Sequence, residues 1–229
     1  MKKILYVNAA MNRESSRTER LAQAYLEKQT EKGNIEIQTV TLAEEKTLSP
    51  LLWMQLQNRQ ESIKQKDFST PYFRFARDFA QSDEIVMACP YWDMSFPSIF
   101  KVYLEHLCIN GLTFHYDETG IPRGLTHIKS AVYITTAGGY IRDNNCGFDY
   151  VQKLFSLLFG IPDIRFFSAE GLDIQGNDPE KILSEAITKI TRCSLYIIPG
   201  YQIAAAPFGE NGYFNSSEPK VKSCCLTDS

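Results

Sequence analysis

The chain has 229 residues, 44% hydrophobic and 22% charged, with a formal net charge of −3. That length and composition suit one sizeable core rather than two full domains. The small charge gives no basis for a nucleic-acid partner or an anionic membrane surface, and no apolar run reaches the length of a membrane span.

Six cysteines, at positions 89, 108, 146, 193, 224 and 225, contain no CxxC pair of the kind used by zinc or thioredoxin-like sites. The opening apolar run, Ile4-Leu5-Tyr6-Val7, is too short for a signal peptide. A cytoplasmic protein with reduced thiols is the expectation.

In chain order, Ile4-Leu5-Tyr6-Val7 reads as a strand buried on both faces. A polar loop follows, and Ser16-x-x-Glu19 is a capping box that starts a helix at about Arg17 and ends near Gly33. The segment Ile35 to Val40 alternates apolar and polar residues, as an edge strand does. Ser49-Pro50 and Thr70-Pro71 each predict a helix with proline at its first position. Ile85-Val86-Met87-Ala88 is a third, buried strand. It runs into the aromatic turn Cys89 to Pro97, and a helix from Ser98 to Asn110 follows. Ala131 to Thr135 is the fourth strand, ending in Thr136-Ala137-Gly138-Gly139-Tyr140. The segment from Phe148 to Phe159 predicts a helix apolar almost all round, buried in a core or a subunit interface. Asp163 to Ala169 is the fifth strand. Asp178-Pro179 then caps a last helix whose inner face is Ile182, Leu183, Ala186, Ile187 and Ile190.

This alternation predicts an α/β doubly wound sheet of five parallel strands in the order 2-1-3-4-5, with helices on both faces, over residues 1–192. Residues 193–229 break the pattern and predict an irregular C-terminal arm. The binding crevice of such a sheet lies at the carboxyl ends of the strands, where their order reverses. Three loops fall there. Ser15, Ser16, Arg17 and Thr18 sit at a helix start, where free amides and the helix dipole attract phosphate, although Ser16 alone serves equally as a cap. Tyr91 to Pro97 offers aromatic and sulfur side chains for a flat ring. Gly138 and Gly139 allow close approach of backbone to a ligand. There is no G-x-G-x-x-G and no Walker lysine. His106, His115 and His127 read as solvated or structural, with no metal site among them. Cys89 reads as a small buried hydrophobe.

Taken together, Ser16-Arg17-Thr18, Pro90-Tyr91-Trp92-Asp93-Met94-Ser95-Phe96-Pro97, Lys101-x-Tyr103, Gly111-Leu112-Thr113-Phe114-x-Tyr116, Gly124-Leu125, Thr136-Ala137-Gly138-Gly139 and Ala169-Glu170-Gly171 resemble the flavodoxin-like NAD(P)H:quinone oxidoreductases, in particular the FMN-dependent NADH-azoreductase branch. The resemblance covers residues 3 to about 192. It implies a homodimer with non-covalent FMN, NADH or NADPH as donor, and a small-molecule acceptor such as a quinone, azo or nitroaromatic compound, exchanged in a ping-pong cycle. It implies that Ser16, Arg17 and Thr18 hold the FMN phosphate. Pro90, Tyr91, Trp92, Asp93 and Met94 would line the ring and ribityl chain, and Thr136, Ala137, Gly138 and Gly139 would contact the ring's other edge. No side chain is assigned as a catalytic nucleophile, because the cofactor carries the redox chemistry. Two departures stand out. Ala9-Ala10 replaces the family's customary serine, and Asp93 replaces its asparagine. Two other readings remain open, a flavodoxin-type electron carrier and a diverged binding or regulatory protein.

Overall fold

Along the first strand, side chains alternate between the two faces of the sheet. Leu5 and Val7 enter one core and Ile4 and Tyr6 the other, all fully buried. A strand buried on both faces belongs in the middle of a parallel sheet, and that is where it lies. The computed structural model describes residues 1–12 and 15–193. In chain order the elements are β1 (Lys2–Asn8), α1 (Arg17–Thr30), β2 (Ile35–Thr41), α2 (Trp53–Lys64), α3 (Arg74–Ala80), β3 (Glu84–Ala88), α4 (Ser98–Leu107), β4 (Phe114–Tyr116), β5 (Pro122–Gly124), β6 (Ser130–Thr136), α5 (Cys146–Lys153), β7 (Asp163–Ala169) and α6 (Pro179–Cys193).

The main sheet is parallel, with order β2-β1-β3-β6-β7. This is the predicted 2-1-3-4-5 arrangement. The alternating segment Ile35 to Val40 lies at one edge, as its pattern requires. Helices α1 and α6 cover one face through Leu21, Tyr25, Leu183 and Ile190. Helices α3, α4 and α5 cover the other through Phe79, Phe100, Tyr103 and Val151. Each such large apolar side chain contributes roughly 1.5–3 kcal/mol on burial. The amino-terminal end of the sheet is tied by a carboxylate. Glu84 opens β3 and meets Lys2 of β1, Ser130 of β6, Tyr25 of α1 and Arg165 of β7. The carboxyl-terminal end is left to the loops.

Two expectations are corrected. Helix α2 starts at Trp53, not at Ser49-Pro50. The Ser49 carbonyl is taken by the His106 ring at 2.9 Å, which keeps it in the connection. The helix entry falls instead where the Leu52 N–H donates to Gln55 Oε1 at 3.0 Å. The apolar segment 148–159 is not one regular α-helix, and within this chain it buries one flank. α5 passes into a π-turn over Leu154–Leu158, with Val151 and Phe155 in the core, while Tyr150 and Leu157 are 38% and 48% exposed. One flank meets the sheet; the other faces away. The hairpin of β4 and β5 carries no sequence signal of its own, being two three-residue strands outside the main sheet. The arm expected beyond residue 192, with Cys224 and Cys225, lies outside the described residues except that Cys193 closes α6.

Candidate functional site

The three predicted loops meet at the carboxyl ends of β1, β3 and β6, and two contacts join them. The Tyr91 N–H donates to the Thr136 carbonyl at 3.0 Å, and the Thr18 and Thr136 hydroxyls pair at 2.6 Å in a buried setting.

The first loop leads into α1. Ser16 Oγ accepts the Glu19 N–H at 3.1 Å, so the serine caps the helix as its sequence position predicts. Helix geometry leaves the amides of Arg17 and Thr18 without intrahelical acceptors. Arg13 and Glu14 lie outside the described residues. The Arg17 guanidinium donates from Nη1 to Asp173 Oδ1 at 2.7 Å, and Arg20 holds Glu180 through both terminal nitrogens, each at 2.8 Å. Ala9 and Ala10 are buried and supply no hydroxyl.

The second loop is the aromatic turn. Trp92 and Ser95 exchange backbone hydrogen bonds, N to O 3.0 Å and 2.7 Å, around a two-residue tip. Both tip residues are left-handed, Asp93 at φ +50° and Met94 at φ +64°. That is the type I′ pattern, which ordinarily calls for Asn-Gly. Trp92 and Met94 are 43% and 49% exposed. Trp92, with Met11, Asp93, Phe96 and Ile99, lines an open groove of about 310 Å³. The start of α5 supports the turn from behind, since a Cβ on Gly147 would stand 3.0 Å from Ser95 Cα. The Tyr91 hydroxyl donates to the Asn144 carbonyl at 2.7 Å. Partial desolvation, with Cys146 and Glu170 nearby, raises the phenol above its ordinary value.

The third loop follows β6. Ala137 N–H donates to the Ala169 carbonyl at 3.0 Å, and the Gly138 and Gly139 carbonyls accept from Asp173 and Gly171, each at 2.9 Å. The segment after β7 therefore braces the glycines. A Cβ at Gly138 would crowd Asp173 Oδ2, so a larger residue there would displace that carboxylate. A Cβ at Gly139 would meet nothing within 4 Å, so that glycine opens onto free space.

All twelve predicted site residues belong to these three loops. Ser98, Ile99, Asn144 and Asp173 were not predicted. Asp173 had one signal, its place just past the last strand of the sheet. Cys89 is wholly buried, and burial pushes its thiol well above the ordinary value, which leaves it no thiolate to react with. His106 is buried and paired with Ser49, while His115 and His127 are exposed. Among the described residues no cluster of three or more His, Cys, Asp and Glu side chains is arranged to hold a metal ion, and no helix is long and apolar enough to cross a membrane.

Residues 2–192 match the protein family described as Flavodoxin-like fold. The FMN-dependent NADH:quinone oxidoreductase 2 of Clostridium acetobutylicum is 35% identical over 204 residues, 82% of this chain and 96% of the relative. The FMN-dependent NADH:quinone oxidoreductase of Coprothermobacter proteolyticus is 33% identical over 196 residues, 82% and 95% of the two chains. Among solved structures, an azoreductase from Bacillus anthracis strain Sterne superposes with a TM-score of 0.74 at 20% identity, over 85% of this chain and 99% of that one. The FMN-dependent NADH-azoreductase from Bacillus anthracis strain Ames Ancestor, solved in complex with FMN, gives 0.71 at 22% identity over 85% and 98%. At those identities the structural likeness establishes the fold.

Proposed function

Because the chain belongs to the flavodoxin-like fold family, alongside the FMN-dependent NADH:quinone oxidoreductases, we propose that it is an oxidoreductase that uses bound FMN to pass reducing equivalents from NADH to a small flat acceptor. One observation carries the reading: the helix start, the aromatic turn and the glycine loop converge on one mouth, joined through Thr18, Tyr91 and Thr136. FMN, when bound, supplies the hydride chemistry.

The residues present fit that cofactor. The free amides of Arg17 and Thr18 and the positive end of α1 suit a phosphate. Ser16 Oγ spends a lone pair on its cap and keeps its proton to donate. In the Thr18–Thr136 pair one hydroxyl proton is spent on the other oxygen, and the second remains for a ligand. Trp92 and Met94 present apolar surface to a ring, and Gly139 lets its edge approach the backbone. Hydroxyls missing at Ala9 and Ala10 make this a leaner phosphate site. The protein's part is binding, orientation and electrostatics. NADPH as a second donor, azo and nitroaromatic acceptors alongside quinones, and ping-pong exchange belong to the same reading. A homodimer is supported by exposed Leu52, Trp53 and Met54 at 66%, 74% and 73%, a cluster of the kind that marks an interaction surface.

The test is the visible spectrum of the full chain after FMN is added and the excess removed. Flavin bands at about 375 and 450 nm are expected to bleach under anaerobic NADH and return when a quinone is added after the NADH is exhausted. Bands that bleach only with dithionite would point to an electron carrier instead, and no retained flavin would end the enzyme reading.

Asp93 adds a second expectation. A carboxylate at the ring disfavours the negative charge gained on reduction. The Asp93→Asn variant should therefore show a potential about 20 mV higher than the wild type, equivalent to roughly 1 kcal/mol for two electrons. A redox titration that finds the wild type equal or higher refutes this.

A further inference from the structure

We propose that Asp173 is a built-in competitor for the cation that meets the cofactor's phosphate, and that it thereby sets how far this chain prefers FMN over riboflavin. The inference rests on the FMN reading above. Arg17 stands at the first position of α1, beside the amides that have no intrahelical acceptor, and its Nη1 is held by Asp173 Oδ1 at 2.7 Å. The next cation on that helix, Arg20, is bound to Glu180 through both terminal nitrogens. Carboxylates from the segment after β7 thus neutralise both guanidiniums of the first turns. A phosphate dianion arriving at α1 meets Arg17 with a carboxylate already in place, and the two anions repel. The buried Ala9 and Ala10 offer no hydroxyl in compensation.

Asp173 is fixed in this role by the loop on the ring side. Its backbone N–H donates to the Gly138 carbonyl at 2.9 Å, and its neighbours Gly171 and Leu172 donate to Gly139 and Ala137. Its Oδ2 lies 2.4 Å from where a Cβ at Gly138 would stand, so the glycine is what admits the carboxylate. One residue therefore joins the loop that would meet the ring to the arginine that would meet the phosphate. The side chains of Arg17 and Asp173 are 37% and 66% exposed, so water and salt screen the pair and the effect is modest.

The experiment measures the dissociation constants of FMN and riboflavin for the full chain as wild type, Asp173→Asn, Arg17→Gln and the double variant. Asparagine keeps the shape that packs on Gly138 and removes only the charge. Asp173→Asn is expected to raise the preference for FMN over riboflavin about three- to fivefold, the scale of an exposed ion pair. Riboflavin affinity stays unchanged, and the gain disappears in the Arg17→Gln background. An unchanged or lower preference, an equal shift for both flavins, or a gain that persists without Arg17 overturns the inference. A wild type that binds neither flavin overturns the proposed function and this inference with it. A wild type that binds both, with a preference Asp173→Asn does not move, overturns the inference alone.

Discussion

Truncation of Glu84 to alanine is expected to lower the unfolding free energy by roughly 3–5 kcal/mol, the cost of breaking a buried charge cluster by removing one partner. The Glu84 side chain is 2% exposed. Its Oε2 lies 3.0 Å from Lys2 Nζ and 3.4 Å from Arg165 Nη2, and accepts the Ser130 hydroxyl at 2.6 Å, while Oε1 accepts the Tyr25 hydroxyl at 3.0 Å. Alanine leaves Tyr25, Ser130 and Arg165 facing each other with no acceptor at the centre. For a chain of this size the thermal midpoint should fall by about 10 °C, at about 2–4 °C per kcal/mol. The pH dependence gives the sign. Burial pushes the Glu84 carboxyl up, but Lys2, Ser130 and Arg165 together outweigh it and hold the group below its usual range. A carboxylate whose folded value lies below its unfolded value of about 4.3 stabilises fully above that value, and the contribution is lost as pH falls through the folded one. Urea unfolding should therefore show a constant gap between wild type and Glu84→Ala from pH 6 to 8, narrowing below about pH 4. A gap below about 1 kcal/mol at pH 7, or one that widens in acid, contradicts this account.

The cluster also shows what a sequence can and cannot disclose. The strand order was legible because apolar runs such as Ile4 to Val7 must be buried on both faces, whereas the alternation from Ile35 to Val40 allows one wet side. The loops of the site were legible for the same reason: each follows a strand that had to be central. Pairings between distant residues were not. Arg17 and Asp173 are 156 positions apart, and Lys2 and Glu84 are 82 apart; no local pattern links either pair. The misread helix start at Ser49-Pro50 has a similar origin, because a histidine 57 positions away takes the Ser49 carbonyl. The π-turn at Leu154–Leu158 escapes periodicity because an apolar run hides a change in helical pitch.

The second large effect concerns the aromatic turn, where replacing Met94 by glycine should move stability and cofactor affinity in opposite directions. At φ +64° methionine carries the left-handed penalty of an L-residue, roughly 1–2 kcal/mol. Glycine removes that penalty but adds roughly 0.5–1 kcal/mol of freedom to the unfolded chain. The balance favours the glycine variant by roughly 0.5–1 kcal/mol in the flavin-free protein. The same substitution strips a half-exposed thioether from the tip of the aromatic turn, two residues from Trp92. Covering that half-exposed side chain with a ring is worth about 1 kcal/mol, and a sulfur–aromatic contact adds roughly 0.3–1.5 kcal/mol. FMN should then bind about tenfold more weakly to Met94→Gly, a factor of roughly 1.4 kcal/mol. Urea unfolding of the flavin-free chain and a fluorescence titration with FMN read the two quantities separately. Strain kept for a ligand requires the two to diverge. If stability and affinity rise or fall together, the left-handed tip is only a tolerated turn, and the argument that Met94 faces the cofactor loses its energetic support.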